Sequence, residues 1–472
     1  MTIASRPRFS SPRRTVPVLL PALLALLGTS AKPAAAQEAP DLREQLDKIA
    51  GAEVRADRSV GIVAKVGKGA ETLLLGTYGR TDVDSGEAMT ADTLVSIGPI
   101  TKQFTAAAIL QLRDRGKLTL DDDVTRWLPD FRTHGNKVTL RHLLGHTSGV
   151  ADLAAMPELR KLRMLRNPDL TRDAIYGIVN TQPFQFPTGS MQVYSNTGYW
   201  LLGRVLEKAS GMRYEDYVER ELLAPLGMKH TCYGSDAEQS SRCAAGHGIR
   251  DGKARRLPRI VHNGTFAAGA LHASVEDLTL WTTALHAGKV LSPRSYAEMI
   301  APTRLADGTP TQYGMGIVLA EDRQGRPFLG HDGGGFGFSA VARWYGEAEL
   351  AVVVLTNSEP DTLTTVADDL AGAVLPQPSA RGAFQGDAQL LVGKFGGPGR
   401  TAGSRLLVEV TQGPAGLTIS VDEGTAEPLR WVEGTTFRQD RSRIQFLGNG
   451  AKEPANELRL DTGGDHFVLG RQ

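Results

Sequence analysis

The sequence is poor in cysteine, with only Cys232 and Cys243 among 472 residues. Neither lies in a C-x-x-C pattern, so the common zinc-binding and thiol-redox motifs are excluded. In an oxidising compartment the two cysteines could close a short loop, which would stabilise the fold by about 3 kcal/mol on chain-entropy grounds. Two reduced thiols under a loop are the alternative, and the sequence leaves this choice open.

The sequence also lacks an excess of charge of either sign. Lys and Arg total 53, Asp and Glu total 52, and the formal net charge is +1. Domains that bind nucleic acid usually carry a clear basic excess, so we expect no nucleic-acid partner. We find no repeat of 20–50 residues and no heptad run, which excludes solenoids and long coiled coils.

Long apolar runs are missing except for "VPVLLPALLALLG" at residues 16–28. Several arginines precede this run, and small residues ending in Ala36 follow it. This order predicts a signal peptide at residues 1–36. Because the run is short and contains Pro17 and Pro21, we expect an exported protein, periplasmic or extracellular, without a membrane anchor. Cleavage would remove five basic and no acidic residues and lower the net charge from +1 to −4.

The remaining sequence divides into two predicted domains. Residues 37–375 begin and end with strand patterns around a mostly helical middle, which predicts an α/β (α+β) domain with helices flanking an antiparallel sheet. One of its helices should begin after Ser274, a typical N-cap residue. "PQPSARGAFQG" at 376–386 has the composition of a linker. Residues 387–472 alternate apolar and polar positions between frequent turns, which predicts a small all-β, barrel-like domain.

The segment "IGPITKQFTAAAILQL", residues 97–112, predicts a helix with Lys102 in its first turn and an apolar face behind it. A helix N-terminus suits acyl transfer because its free N–H groups and its dipole favour developing negative charge. A lysine three residues after a serine can take the proton of that serine. Pro99 occupies the position where such a serine would stand.

Three motifs in this sequence resemble those of the serine β-lactamase and penicillin-binding-protein superfamily, on its class C β-lactamase-like, esterase and D-peptidase side. The S-x-x-K motif corresponds to P-I-T-K at 99–102, the Y-x-N motif to Y-S-N at 194–196, and the K/H-x-G motif to H-D-G at 331–333. "VTLRHLLGHTSGV", "AAGALHASVEDL" and "VVVLTNS" follow the family pattern as well. The resemblance covers roughly residues 40–375, and the C-terminal domain resembles the small barrel that many members append.

The resemblance implies a role for each matching residue. Lys102 would be the base that activates the nucleophile, and Tyr194 would be a second acid/base with its phenol near that lysine. Asn196 would hydrogen-bond the substrate and the lysine. His331 and Gly333 would line the sheet edge on which the substrate docks. We expect no cofactor and no metal ion.

Pro99 removes two groups that the family's reaction needs. It has no hydroxyl, and it has no backbone N–H, which in this family is one of two oxyanion donors. The other donor would be the N–H of Gly335 or a near neighbour. By analogy with other serine enzymes, loss of the nucleophile costs on the order of 10⁶ in kcat, and loss of one donor roughly 10²–10³. Proline also fits a first helical turn, so we expect an intact helix and a closed acyl-enzyme route.

No other residue is expected to replace the nucleophile or to bind a metal. Ser96 and Thr101 are not expected to share the face of Lys102. Ser148 and Ser195 lie where the resemblance implies serines that family members carry without using them as nucleophiles. The sequence has no G-x-S-x-G elbow. His142 and His146 have metal-type spacing, but no glutamate follows His142 as in H-E-x-x-H.

The sequence therefore predicts an exported β-lactamase-related protein with a disabled acyl-enzyme route. In this interpretation it binds a peptide, a peptidoglycan-like fragment or a small acyl ligand in the old cleft. The alternative is an active hydrolase or acid/base enzyme for amide, ester or β-lactam substrates. That enzyme would use Lys102 and Tyr194 with a non-standard nucleophile or with none.

Overall fold

The computed structural model describes residues 41–472 except 238, 361, 380–381, 401–402 and 449–452. The predicted signal peptide lies outside the described residues. Among the helices of the described chain, none has both the length and the apolar character needed to cross a bilayer.

Most helices belong to the region before residue 376. In chain order they are α1 (Leu42–Ala50), α2 (Ala52–Arg55), α3 (Thr101–Asp114), α4 (Leu140–Leu144), α5 (Pro157–Lys161), α6 (Arg172–Val179), α7 (Asn196–Ser210), α8 (Tyr214–Val218), α9 (Ala224–Leu226), α10 (Gly234–Ala237), α11 (Phe266–Gly269), α12 (Val275–His286), α13 (Pro293–Met299) and α14 (Leu363–Val374). Tighter 3₁₀ turns lie at Gly98–Ile100, Val124–Arg126, Leu153–Ala155, Gly346–Ala348 and Ala388–Leu390, and a π-helical segment at Glu219–Leu223. Helix α12 begins as predicted, because the Ser274 hydroxyl accepts the N–H of Asp277.

The strands of the same region form one large sheet and two small ones. They are β1 (Gly61–Lys68), β2 (Glu71–Gly79), β3 (Val95–Ser96), β4 (Thr231–Tyr233), β5 (His247–Arg250), β6 (Lys253–Arg256), β7 (Leu271–Ala273), β8 (Val318–Glu321), β9 (Pro327–Gly335), β10 (Phe338–Tyr345) and β11 (Leu350–Thr356). The large sheet has the order β2-β1-β11-β10-β9-β8, and every neighbouring pair is antiparallel. Strands β3, β7 and β4 form a second sheet, and β5 pairs with β6.

Strand β11 shows how the large sheet organises the core. All seven of its residues are buried. Val352 and Val354 pack with α1 and α14, whereas Val353 and Leu355 belong to the cluster that contains α3, α7 and α12. A strand that is covered on both faces has apolar residues at nearly every position, and β11 has this pattern in "LAVVVLT". The predicted α/β arrangement of helices around an antiparallel sheet is confirmed.

The C-terminal region is a nearly closed, barrel-like antiparallel sheet of nine strands. These are β12 (Gly393–Pro398), β13 (Arg405–Gly413), β14 (Gly416–Val421), β15 (Glu427–Pro428), β16 (Arg430–Glu433), β17 (Thr436–Gln439), β18 (Ser442–Leu447), β19 (Glu457–Asp461) and β20 (His466–Arg471). The two edges of the sheet, β15 and β16, are separated in the chain by Leu429 alone. The sheet therefore curls until its two edges lie close together, and its interior is filled by aromatic and aliphatic side chains. The predicted all-β character is confirmed.

The two cysteines lie near the second sheet. Cys232 is in β4 opposite His272 of β7, and Cys243 forms an isolated bridge with Leu94. Cys232 is a free thiol in this structure. Burial raises the pKa of the Cys232 thiol to about 12, which keeps it protonated and poorly nucleophilic at neutral pH.

Candidate functional site

Pro99 lies in the 3₁₀ turn Gly98–Ile100, directly before α3. The α-helix itself begins at Thr101, so Lys102 is its second residue. Strand β7 holds the first residue of this helix in place, because the Thr101 hydroxyl accepts the N–H of Leu271 at 3.1 Å. Proline is suited to such a turn since its fixed φ is helical and its missing N–H would have no intrahelical partner.

Strand β9 passes very close to this turn. A Cβ atom at Gly333 would lie 2.1 Å from the carbonyl oxygen of Ile97, and one at Gly98 would lie 3.2 Å from the backbone nitrogen of Gly334. Only glycine permits the approach at Gly333, because the atom it would meet belongs to the backbone. Gly333 of the H-D-G motif therefore allows β9 to pack against the Pro99 turn.

The Lys102 ammonium group is fully buried and has two acceptors. Its Nζ donates to Asn196 Oδ1 and to the carbonyl oxygen of Ala268, each at 2.9 Å. Asn196, the first residue of α7, donates through Nδ2 to the carboxylate of Asp152 at 3.3 Å. Burial lowers the pKa of Lys102 to about 7, against the opposing effect of the Asp152 charge. A large fraction of this lysine is therefore neutral near pH 7 and could accept a proton.

Tyr194 presents its ring to the lysine. Lys102 Nζ lies 4.6 Å from the Tyr194 ring centroid. The Tyr194 hydroxyl is buried and has no hydrogen-bond partner among the described residues. Burial raises the pKa of this phenol well above its ordinary value. Tyr194 is therefore a neutral phenol beside the lysine, at the distance expected for a cation–π contact.

Two buried histidines lie behind this pair. The Nδ1 atom of His146 accepts the N–H of Ser195 at 3.1 Å, and the His146 ring is 4.4 Å from that of Tyr194. His331 Nε2 is 3.1 Å from the Tyr313 hydroxyl. Burial lowers the pKa of His331 to about 4 and lowers that of His146 well below its usual value. Both rings are uncharged at neutral pH and pack the base of the site.

A cavity of about 150 Å³ opens next to Pro99. Its polar edge is formed by backbone and small side chains, namely Ser96, Gly98, Asn196, Thr265, Gly334 and Gly335. Its apolar wall consists of Leu153, Ala154, Met164, Leu165, Phe336 and Phe338. None of the described residues that line it carries a formal charge. His331 and Gly333 lie outside the lining, so of the predicted docking residues only Asn196 and Gly335 face the cavity.

A larger cavity of about 810 Å³ lies beside the barrel-like sheet, near Trp431 and Phe384. It contains none of the predicted site residues. Within the described residues, no group of three His, Cys, Asp or Glu side chains is arranged to hold a metal ion.

The family model described as Beta-lactamase matches residues 46–375. The chain belongs to this beta-lactamase family. Penicillin-binding protein 4* of Bacillus subtilis (strain 168) is 29% identical over 309 residues, which are 62% of this chain and 67% of that protein. Esterase EstB of Burkholderia gladioli is 29% identical over 323 residues, 60% of this chain and 81% of the esterase.

A solved structure of the octameric penicillin-binding protein homologue from Pyrococcus abyssi covers more of this beta-lactamase family chain. It superposes with a TM-score of 0.63 at 23% identity, over 90% of this chain and 99% of that one. At this identity the likeness concerns the fold. Because it extends over nearly the whole described chain, it includes the nine-stranded sheet as well as the region that the family model matches.

Several groups at the site of this beta-lactamase family member were not predicted. They are the Asp152 carboxylate, the Ala268 carbonyl, the Tyr313 hydroxyl and, from the barrel-like sheet, the Asp465 carboxylate, which accepts the N–H of Tyr194 at 2.7 Å. The sequence could have indicated Asp152, because this residue directly follows "HTSGVA" and is a typical N-cap residue for the turn Leu153–Ala155. The others depend on contacts between residues far apart in sequence, which no local pattern records.

Proposed function

We propose that this protein is a beta-lactamase family member that binds an acyl compound in the cleft at Pro99 without forming an acyl-enzyme. One observation carries the proposal: Pro99 lines the same cavity as Asn196, and Asn196 accepts a hydrogen bond from Lys102, which itself lies outside the lining. Lys102, the base that would activate a nucleophile, is buried, and its pKa is about 7. The residue that would carry the hydroxyl has none.

The lining of the cavity favours a small, apolar acyl group. Met164, Leu165 and Phe338 offer apolar contacts, whereas Asn196 and the end of β9 offer polar ones. This combination of an apolar wall and a few polar groups is typical of small-molecule sites. Peptides and peptidoglycan-like fragments whose side chains are small and apolar would fit the same description.

The decisive experiment is intact-mass spectrometry of the protein after incubation with a β-lactam, a D-alanyl peptide thioester and an activated short-chain ester. We expect no adduct on the native protein and a stoichiometric acyl adduct on Pro99→Ser. Pro99→Ala is the matched control, since it restores the backbone N–H but supplies no hydroxyl. An adduct on the native protein would contradict the proposal. Saturable binding of a non-hydrolysable acyl amide, measured by calorimetry, should accompany the absence of an adduct.

A second candidate function rests on Ser96. This serine is in β3 and lines the cavity together with Pro99. If Ser96 were the nucleophile, the protein would be an active hydrolase for amide, ester or β-lactam substrates. Peptide mapping of any adduct separates the two functions, because the second one requires the acyl group on the peptide containing Ser96 and its loss in Ser96→Ala.

A further inference from the structure

The turn between β19 and β20, residues 462–465, reaches from the barrel-like sheet to the segment that carries the Y-x-N motif. The Asp465 carboxylate accepts the N–H of Tyr194 at 2.7 Å. The Gln192 side chain donates to the carbonyl of Gly464 at 2.9 Å, and the carbonyl of Gln192 accepts the N–H of His466 at 2.9 Å. Three hydrogen bonds thus hold residues 192–194 from one side.

The same segment leads directly into the lysine-binding residue. Asn196 is two positions after Tyr194 and accepts a hydrogen bond from Lys102 Nζ. The Gly464 backbone also lies against the tyrosine ring, because a Cβ there would be 3.4 Å from Tyr194 Cδ2. The turn therefore limits the position of the tyrosine, whose ring centroid lies 4.6 Å from Lys102 Nζ.

Asp465 is well suited to this role because it is largely buried. Its side chain is 13% exposed, and Arg400 lies 3.8 Å away. Burial raises the pKa of the Asp465 carboxyl, with Arg400 and the Tyr194 N–H opposing that effect and with the charges of Asp461 and Asp152 adding to it. A buried carboxylate is costly unless its hydrogen bonds are made, so the bond to Tyr194 is one that the fold needs.

We propose that the turn at 462–465 is part of the site and that Asp465 is a positioning residue for the Tyr194–Asn196 segment. The barrel-like sheet then holds residues 194–196 in place next to Lys102, in addition to being an appended domain. Loss of the hydrogen bonds from the turn should let residues 194–196 move away from Lys102. Water would enter, and the ammonium form would be stabilised.

The test measures the pKa of Lys102 directly and does not depend on catalysis. Only the neutral amine reacts with acetic anhydride, so trace acetylation at a series of pH values, followed by peptide mapping, gives the midpoint for Lys102. We expect Asp465→Ala to raise this midpoint by about one pH unit or more, towards the usual lysine range. Asp465→Asn keeps an acceptor for the Tyr194 N–H and should leave the midpoint within about 0.3 unit.

Asp387→Ala is the matched control. Asp387 also accepts a backbone N–H, that of Gln389 at 2.9 Å, but it does so at the exposed edge of the C-terminal region. This variant should keep the wild-type midpoint. If Asp465→Ala fails to fold, Gln192→Ala removes another bond to the same turn and should also raise the midpoint. An unchanged midpoint in the folded Ala variants, or an equal shift in Asp387→Ala, would overturn the proposal.

Discussion

At the level of single residues, the site combines a buried lysine, Lys102, with a proline, Pro99, at the position where the sequence pattern would place a nucleophile. Lys102 keeps both of its acceptors, and burial holds its pKa at about 7. Burial of Lys102 lowers the stability of the fold, because burial disfavours the charged form of a lysine. A function that needed only a folded helix would not require these features of Lys102. Their presence beside Pro99 is the reason to expect a ligand in this cleft.

The depressed pKa of Lys102 predicts a specific pH dependence of stability. The pKa of Lys102 in the folded state, about 7, lies below the ordinary lysine value of 10.5, so the unfolded chain binds one more proton than the folded chain between these two pH values. The contribution of this group to stability therefore rises with pH through that window, by up to about 1.4 kcal/mol per unit. Between about pH 7.5 and pH 9.5, wild type should gain roughly 2 kcal/mol more than Lys102→Met.

Urea unfolding of both proteins at the two pH values measures this difference. Titration of groups that do not sense the Lys102 charge cancels in the comparison, because the two chains differ at one residue. His146 and His331 do sense it, but burial is the larger cause of their lowered pKa, so both should stay neutral throughout this pH window. Lys65→Met serves as control, since Lys65 forms an ion pair with Glu276 and lies far along the sheet from the site. Parallel pH profiles for wild type and Lys102→Met would show that the lysine has an ordinary pKa.

At the level of elements, the sequence predicted what local patterns encode. The apolar run of β11 and the N-cap at Ser274 both follow from short segments. Lys102, Tyr194 and Asn196 were found through family motifs, and the structure places them together. The proximity of β9 to the Pro99 turn could not be predicted, because it depends on a backbone contact between Gly333 and Ile97. That contact is visible only after the chain is folded.

A buried ion pair joins α14 to the large sheet, and we expect it to be essential for stability. Arg343 of β10 and Asp368 of α14 are both fully buried and are bonded to each other. Asp368 also accepts from Arg323 at 3.2 Å. Asp368→Asn would remove the buried carboxylate that is bonded to Arg343 and leave only the more distant charge of Asp332 to oppose the guanidinium group. We expect a loss of about 3–5 kcal/mol in the free energy of unfolding.

The neighbouring Asp369 provides the matched control for this measurement. It is partly exposed and pairs with Arg323 at 2.9 Å. Asp369→Asn should therefore cost less than about 1 kcal/mol, as surface pairs do. Chemical denaturation of the two variants gives both values. Similar losses for Asp368→Asn and Asp369→Asn would mean that the buried pair is no stronger than an exposed one.

At the level of the whole molecule, the apolar interior of the barrel-like sheet extends beyond its own strands. Phe186, Met191 and Val193 belong to the same buried cluster as Phe395 and Phe446. These three residues precede the Y-x-N motif and lie far upstream of the predicted linker at 376–386. The sequence pattern indicates a change of secondary structure at the linker. It does not indicate that side chains from before the linker pack into the core of the region after it. The predicted division into domains stays a prediction about folding units.

These shared contacts predict that residues 41–375 do not fold stably when produced alone. Truncation would expose Phe186, Met191 and Val193, each costing roughly 1.5–3 kcal/mol. The sum is comparable with the total stability of a typical domain, about 5–15 kcal/mol. The Tyr194 N–H would also lose its Asp465 acceptor. We expect the fragment to aggregate or to bind a hydrophobic dye, and the full chain to unfold in a single calorimetric transition.

Cleavage of the folded chain in the linker tests the effect of the covalent connection alone, because it leaves the contacts between the two regions in place. A protease site inserted at 376–386 allows cleavage after folding, and both parts should then remain associated in size-exclusion chromatography. The shared core and the hydrogen bonds at the turn do not depend on the linker. A fragment ending at 375 with a cooperative transition close to that of the full chain would show instead that the first region is complete without the barrel. In that case, the contacts of the 462–465 turn would adjust the site without stabilising the fold around it.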